Sequence, residues 1–260
     1  MQGPSRLIGG ASLVVGRGLH HGNITSRKKT GEGVRPCSGG SDFGVIGEVL
    51  DGGTVLFVST TQHEGAEWQN FPPGNAFPLR ADQEIVARMH YLNAGPEPLT
   101  VAPRYHWYTV DEKSVVHRLA PFVWDNREIA IPPGATVTAS AECNFGQGMN
   151  VVSILPHMHR MGRGLTASYV GGAPANRPFF ESKGFDPDKS LIQQFDPPID
   201  LGRGDGVRFA CTWSNVSDKP LEWGLGDNEM CMVFGYAWPP ESAYSTTVSS
   251  GKCVYVTVPP

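Results

Sequence analysis

The sequence lacks three features that would assign it to a familiar class of protein. It contains no run of about eighteen apolar residues, so no segment is long enough to cross a membrane as a helix. Its five cysteines form no C-x-x-C pair, which argues against a zinc knuckle or a thioredoxin-type site. Only 18% of the 260 residues are charged and the net charge is -4, so there is no electrostatic case for binding nucleic acid or an anionic membrane.

Sustained helical periodicity is also missing. Short runs rich in Val, Ile, Thr and aromatic residues recur instead, bounded by Gly, Pro, Asn or Asp, and they predict β-strands. The 32 glycines and 22 prolines are spread along the chain, which indicates many turns between short strands. We therefore predict an all-β chain. The predicted strands are GTVLFVSTT, EIVARMHYLN, LTVAPRYHWYTV, ATVTASAECNF, NVVSILPHMH, LTASYV, GVRFACTWSN, MCMVFGYAW and KCVYVTV.

Turn signals suggest an internal repetition. PPG occurs at residues 72–74 and again at 132–134, each time before a strand that leads toward a histidine-bearing segment. This recurrence predicts two antiparallel jelly-roll-like β-sandwich domains, residues 1–116 and 117–260. DPP at 196–198 is a further predicted turn, and the polar, Gly-rich segment 22–42 is predicted to be a loop.

The stretch SILPHMHRMGRG, residues 153–164, places His157 and His159 two residues apart. Side chains at i and i+2 point to the same face of a strand, so the pair would form half of a metal site. Alternatively, the two histidines could form hydrogen bonds at a strand end. Met230 follows 71 residues after His159. A thioether beside two imidazoles favours copper, because methionine binds Cu(I) well and zinc, calcium or magnesium poorly; by itself Met230 could also be a core residue.

A second group of histidines lies in the first half of the chain. His20 and His21 are adjacent, and His90 follows 69 residues after His21. Three imidazoles suit copper or zinc, although adjacent histidines also occur by accident on surfaces. The remaining His63, His106 and His117 fit no motif and are predicted to be surface or hydrogen-bonding residues. NIT at 23 and NVS at 215 match the glycosylation sequon, which also occurs by chance.

A family resemblance lies in the stretches LPHMH followed by MG, GDGVRFACTWSN and WGLGDNEMC, and in the order of four short motifs. In these features the chain resembles the copper type II ascorbate-dependent monooxygenases, the family of dopamine β-monooxygenase and peptidylglycine α-hydroxylating monooxygenase. The H-H, H-Y-x-N, H-x-H and E-M-C motifs stand in family order at family-like spacing, over roughly residues 18–258. The resemblance implies a secreted or otherwise extracytoplasmic enzyme, although no signal peptide is visible in the sequence.

The resemblance also implies a cofactor set and a reaction. Copper at His157, His159 and Met230 would be the catalytic site, and copper at His20, His21 and His90 would store a second electron. Ascorbate or a similar one-electron donor would supply the electrons, O2 the oxygen, and a C–H bond of a small organic substrate would be hydroxylated. The oligomeric state is not predicted.

Further implications of the resemblance concern cysteines and specificity. Disulfides Cys211–Cys231 and Cys143–Cys253 are implied, which leaves Cys37 over. The amidating members carry an arginine where this chain has Leu155 and a tyrosine where it has Phe234, so peptide amidation is disfavoured. Leu155, Met232 and Phe234 would line an apolar pocket, although all three could simply be core residues.

The N-terminal region departs from the family. Only 19 residues precede His20, where the family has several strands, so the first sandwich is expected to be abbreviated or truncated. The alternative to a monooxygenase is therefore a non-catalytic copper-binding or electron-transfer protein derived from this fold. A third hypothesis is a sandwich protein whose histidines and methionine are structural.

Overall fold

The fold follows from strand pairing throughout. The computed structural model describes residues 5–15, 18–31, 33–34, 54–59, 65–91, 93–186, 192–224, 226–242 and 245–256. Regular structure in the described residues is almost all β-strand, with two short 3-10 turns as the exception, which confirms the predicted all-β sandwich fold. No helix in the described ranges is long and apolar enough to span a bilayer. The chain divides into two compact units, one running to Pro121 and the other beginning at Phe122.

The described residues of the first unit form two sheets. In one, β1 pairs with β4, β5 and β7, and β5 also pairs with β8; in the other, β2 lies between β3 and β6. A 3-10 turn covers Glu112–Ser114. The strands are β1 (Arg6–Val15), β2 (Leu19–Lys28), β3 (Thr54–Ser59), β4 (Gly65–Asn70), β5 (Asn75–Leu79), β6 (Gln83–Tyr91), β7 (Arg104–Thr109) and β8 (His117–Arg118).

The loop prediction for residues 22–42 is wrong for its first part. Residues 22–28 belong to β2, which hydrogen-bonds to a strand on each side. Its polar residues are compatible with burial because partners come from the neighbouring strand, as when the Gln83 amide donates to Ser26 Oγ at 3.2 Å. Pairing on both edges therefore overrides the polar composition. Residue 32 and residues 35–42 lie outside the described residues.

The second unit is built on one long sheet. Its strand order is β14-β13-β16-β11-β20-β19-β9-β18-β12-β15, and β10 pairs separately with β17. A 3-10 turn covers Pro240–Ser242. The strands are β9 (Ala120–Asp125), β10 (Ala130–Ile131), β11 (Thr136–Asn144), β12 (Met149–His157), β13 (Gly162–Val170), β14 (Pro178–Lys183), β15 (Gln193–Leu201), β16 (Gly206–Ser214), β17 (Leu221–Glu222), β18 (Met232–Trp238), β19 (Ser245–Ser249) and β20 (Lys252–Val256).

One hydrophobic core is shared by the two ends of this sheet. Strands β11, β13 and β16 contribute to it, and so do β9, β12, β15 and β18. Trp124 of β9 is fully buried in it, with its ring centroid 6.3 Å from that of Phe209 on β16. Disulfide Cys211–Cys231 joins β16 to the residue before β18. The second unit is thus a sandwich whose layers share a core and a covalent link.

Proline-containing turns are only partly as predicted. In both PPG segments the glycine, Gly74 and Gly134, has a positive φ, and the following N–H donates to the first proline's carbonyl. A residue without Cβ is favoured there, so both turn predictions are confirmed. The DPP turn at 196–198 is wrong, because these residues lie within β15. That strand is at the sheet edge, where a missing N–H is tolerated.

Candidate metal centre

Strands β12 and β18 position the H-x-H motif. They pair antiparallel, with Leu155 opposite Phe234 and His157 opposite Met232. Alternate side chains of a strand point to opposite faces. Ile154 and, on the same face of the paired strand, Val233 belong to the core of the second unit, whereas Leu155, His157 and Met232 do not. His157 is therefore presented on the face away from that core.

The two imidazoles of the motif lie next to each other. Strand β12 ends at His157, so His159 lies just beyond it, where the chain begins to turn. The ring centroids of His157 and His159 are 5.2 Å apart and the ring planes meet at 79°. Both residues are half-buried. The predicted neighbourhood is present, although only His157 lies in a regular strand.

A buried carboxylate holds the turn after β12. Glu229 is 1% exposed, and its two oxygens accept hydrogen bonds from the backbone N–H of His159 at 2.9 Å and of Met161 at 2.7 Å. Burial raises the pKa of the Glu229 carboxyl above its ordinary value, and the two N–H donors oppose this rise. The segment that carries Met230 is thereby attached to the segment that carries His159.

The residue before Glu229 fixes the His159 ring. Nδ1 of His159 lies 2.7 Å from the backbone carbonyl oxygen of Asn228. A carbonyl can only accept, so Nδ1 carries the proton and donates it in this bond. In the neutral ring Nε2 then presents the lone pair that a metal ion needs.

Met230 lies on the segment facing the motif. It is 4% exposed and stands between Glu229 and the disulfide-bonded Cys231. His157 lies opposite Met232 in the antiparallel pair. His159 lies two residues after His157 and Met230 lies two residues before Met232, so both lie beyond the same end of the pairing. The carbonyl of Cys231 also accepts a hydrogen bond from the N–H of Asn126 at 2.9 Å. The backbone around Met230 is therefore fixed by a covalent bond and by hydrogen bonds.

The loop that precedes Met230 is attached to the sandwich at Trp223. Its indole N–H donates to Asp125 Oδ1 at 3.1 Å, and the guanidinium of Arg127 lies 4.5 Å from the centre of the Trp223 ring. Arg127 also binds Asp125 at 2.6 Å. Burial raises the pKa of the Asp125 carboxyl, against the effect of Arg127. Backbone hydrogen bonds then link Glu222 and Gly224 to Glu229.

An apolar side lies beside the histidines. Leu155 and Met232 are each 6% exposed, and the half-buried Phe234 has its ring centroid 6.2 Å from that of His157. These are the three residues for which the family resemblance implied a role in lining an apolar pocket. Their positions place apolar groups along the face that carries His157.

The three-histidine group is described only in its backbone. In the pairing of β2 with β6, Leu19 lies opposite Tyr91 and His21 opposite His90, so β2 contains one extra residue, His20, at this point. Such a bulge re-aims side chains in β-sheets generally. The side chains of His20, His21 and His90 lie outside the described part of the structure.

The other sequence predictions have mixed outcomes. Disulfides Cys143–Cys253 and Cys211–Cys231 are both present, whereas Cys37 and His63 lie outside the described residues. The NVS sequon is structural: Asn215 is 1% exposed, and its amide donates to three carbonyls, those of Ile131, Pro132 and Lys219. His106 is exposed, as expected of a surface residue.

The donor chemistry of the site fits copper. In the described ranges no three His, Cys, Asp or Glu side chains gather as a metal-binding group. The candidate set has another composition, two imidazoles and one thioether. With the proton on Nδ1, Nε2 of His159 is the nitrogen available to a metal ion, and the Met230 thioether is buried on the facing segment. This is a soft donor set, which favours copper over zinc, calcium or magnesium.

Comparison with known proteins identifies the class. The model of the copper type II ascorbate-dependent monooxygenase C-terminal domain matches residues 122–257, which is just over half of the chain. The chain therefore belongs to this family. A search of the curated proteins found no match. The two disulfides and the family membership are consistent with an extracytoplasmic location.

Solved structures add little. The chain is similar to the VP2 subviral particle of infectious bursal disease virus, with 13% identity, a TM-score of 0.25, and coverage of 92% of this chain and 59% of that chain. For T=1 particles derived from the same virus the identity is 14%, the TM-score 0.26, and the coverage 92% and 57%. The chain thus spans less than two thirds of these proteins. At such TM-scores the likeness carries no argument about function.

Sequence reasoning missed Glu229 and the carbonyl of Asn228. The glutamate is the first letter of E-M-C, but the motif predicts roles only for its methionine and cysteine. An acidic residue directly before a proposed soft ligand was the available signal. The backbone carbonyl of Asn228 leaves no signal in the sequence, because any residue would supply it.

Proposed function

We propose that the protein is a copper-dependent monooxygenase that hydroxylates a C–H bond of a small, largely apolar organic substrate. O2 and an ascorbate-like reductant are the co-substrates. His157, His159 and Met230 hold the catalytic copper, and His20, His21 and His90 hold a second copper. Family membership supports the reaction class. The residues, the substrate class and a secreted location are our proposal.

One observation carries the assignment of the site. The hydrogen bond from His159 Nδ1 to the Asn228 carbonyl directs Nε2 to be the metal-binding nitrogen, and the same segment supplies Met230 two residues later. Metal-binding histidines almost always donate their other ring N–H to such an acceptor. A histidine pair with a purely structural role has no need for a thioether buried on the facing segment.

The apolar residues around His157 suggest what the substrate is like. Leu155 and Phe234 provide no charge and no strong hydrogen-bond donor at the positions where the amidating members bind a substrate carboxylate. Their hydrophobic surfaces would exclude water and hold an apolar group beside the histidines. We therefore propose an uncharged, apolar reacting end rather than a peptide carboxylate.

The overall reaction sets the requirements for the reductant. Copper, when bound, supplies the one-electron redox chemistry that activates O2. Insertion of one oxygen atom into a C–H bond reduces the second atom to water, and this consumes two electrons and two protons. Two molecules of a one-electron donor balance each turnover.

A non-catalytic copper-binding or electron-transfer protein is the second candidate. The observation that favours it is that the family match covers the C-terminal domain alone. The two candidates differ in ascorbate-driven O2 consumption with hydroxylated product, which only the monooxygenase shows.

The experiment that tests the site is X-ray absorption on the Cu(I)-loaded protein. The parent is compared with Met230→Leu. Leucine keeps the approximate size and hydrophobicity of methionine but has no sulfur, so loss of the sulfur scatterer in the variant identifies the ligand. Met232 is the rival sulfur donor because it lies opposite His157 on the same face, and Met158 in the core is the control. We expect the sulfur signal to persist in Met232→Leu and Met158→Leu. Persistence in Met230→Leu would contradict the assignment.

A further inference from the structure

A buried carboxylate without a cationic partner among its hydrogen-bond donors is the feature to explain. Both oxygens of Glu229 are directed at backbone N–H groups, at 2.9 Å to His159 and 2.7 Å to Met161. Removing a carboxylate from water is unfavourable, and a hydrophobic residue would fill the same space at lower cost. The carboxylate is therefore expected to provide something that an apolar side chain could not.

What it provides is a fixed geometry for two donors on one turn. The turn after β12 has two N–H groups, of residues 159 and 161, that point toward the same place. A carboxylate has two acceptor oxygens at a fixed separation and accepts from both at once, whereas an amide has one acceptor oxygen. The position therefore requires a carboxylate rather than any polar residue of similar size.

The neighbours of Glu229 contact the same histidine. Asn228 accepts the ring proton of His159 through its carbonyl, and Glu229 accepts the backbone N–H of the same residue. Met230 then follows in the chain. Three consecutive residues thus orient the ring of His159, hold its backbone and supply the proposed third donor.

We propose that Glu229 is a positioning residue that binds the His159 turn to the Met230 segment, so that the His159 tautomer and the imidazole–thioether spacing are set before copper arrives. This inference rests on the proposed function for its ligand, yet its geometric part concerns the metal-free protein. Preorganised ligands bind a metal ion more tightly because less order must be imposed on binding.

The test compares Glu229→Gln with the parent by competition for Cu(I) against a chromophoric chelator. Glutamine keeps the volume but leaves one of the two N–H groups facing an NH2 group. We expect Cu(I) binding to weaken by about 10-fold to 100-fold, the range typical of outer-shell changes. Glu222→Gln is the matched control, since that side chain is exposed on β17, and its Cu(I) affinity should equal that of the parent.

A second readout uses the metal-free proteins and needs no copper. Long-range 1H–15N spectra should show His159 protonated only at Nδ1 in the parent and as a mixture of tautomers in Glu229→Gln. The amides of His159 and Met161 should exchange slowly with solvent in the parent. If the variant does not fold, the parent spectra alone decide: an Nε2-protonated His159 or fast-exchanging amides would overturn the inference.

The outcomes separate the two proposals. If the parent shows no sulfur scatterer on Cu(I), the proposed function fails, while the tautomer and exchange data still test Glu229. If the parent binds Cu(I) through sulfur and Glu229→Gln matches it in affinity and in tautomer, the positioning role is refuted and the proposed function stands.

Discussion

Two strand pairs carry the histidine motifs, and they use different backbone devices. In β12 and β18 the motif lies at a strand end, where a turn, a buried glutamate and a disulfide fix the residues around it. In β2 and β6 the motif lies within a regular pairing that is interrupted by one extra residue at His20. Spacing i, i+2 suits a strand directly, whereas adjacent histidines point to opposite faces unless the backbone is altered. The backbone differs between the two strand pairs as the spacing of their histidines differs.

Replacing one histidine in each of the two strand pairs is expected to have the largest effect on copper binding. We expect about two copper ions per chain in the parent and about one in each of His90→Ala and His157→Ala, as two independent sites require. The sulfur scatterer should persist in His90→Ala and disappear in His157→Ala. The His90→Ala variant should also lose multiple turnover with ascorbate and O2. Copper analysis with X-ray absorption measures both. A parent that binds one copper and is indifferent to His90 would favour the non-catalytic alternative.

The two disulfides should separate stability from metal binding. On the chain-entropy estimate, bridges with sequence separations of 20 and 110 contribute about 3 and about 5 kcal/mol. Replacing Cys143 and Cys253 by Ala should therefore cost more stability in urea. Replacing Cys211 and Cys231 should weaken Cu(I) binding more, since Cys231 is next to Met230. Equal losses of affinity in the two double variants would show that the bridge beside Met230 has no special role.

A glycine in each strand pair offers the smallest and most local comparison. A Cβ at Gly235 of β18 would lie 2.6 Å from the carbonyl oxygen of Ser153 and would clash with the Phe122 ring, so Gly235→Ala should cost about 1–3 kcal/mol or more. A Cβ at Gly22 of β2 would meet mainly the sulfur of Met89, at 2.7 Å. That thioether can rotate away, so Gly22→Ala should cost less. Urea unfolding measures the difference, and a larger loss in Gly22→Ala would reverse the comparison.

Strand prediction succeeded where the sequence alternates or is continuously apolar, and failed where neighbours decide. β16 and β18 were evident as runs of β-branched and aromatic residues. β1 was not, because it contains Gly9 and Gly10, and β2 was predicted as a loop. A Cβ at Gly10 would lie 2.7 Å from Asn70 Oδ1 on the adjacent strand, so the glycine permits a close approach that only the pairing shows. The local sequence gives the β-propensity of a segment, whereas strand pairing also depends on a partner segment that is distant in the sequence.

The sequence by itself determined the all-β class and the family, and it supplied the candidate donors His157, His159 and Met230, because these depend on periodicity, on motif spacing and on residue identity. Only the tertiary structure decided that Glu229 and the Asn228 carbonyl orient His159, and that Asn215 of the sequon is buried against three carbonyls. The reason is physical. A hydrogen bond between residues 70 apart in sequence depends on where two segments meet in the fold, and a backbone carbonyl is the same group in every residue.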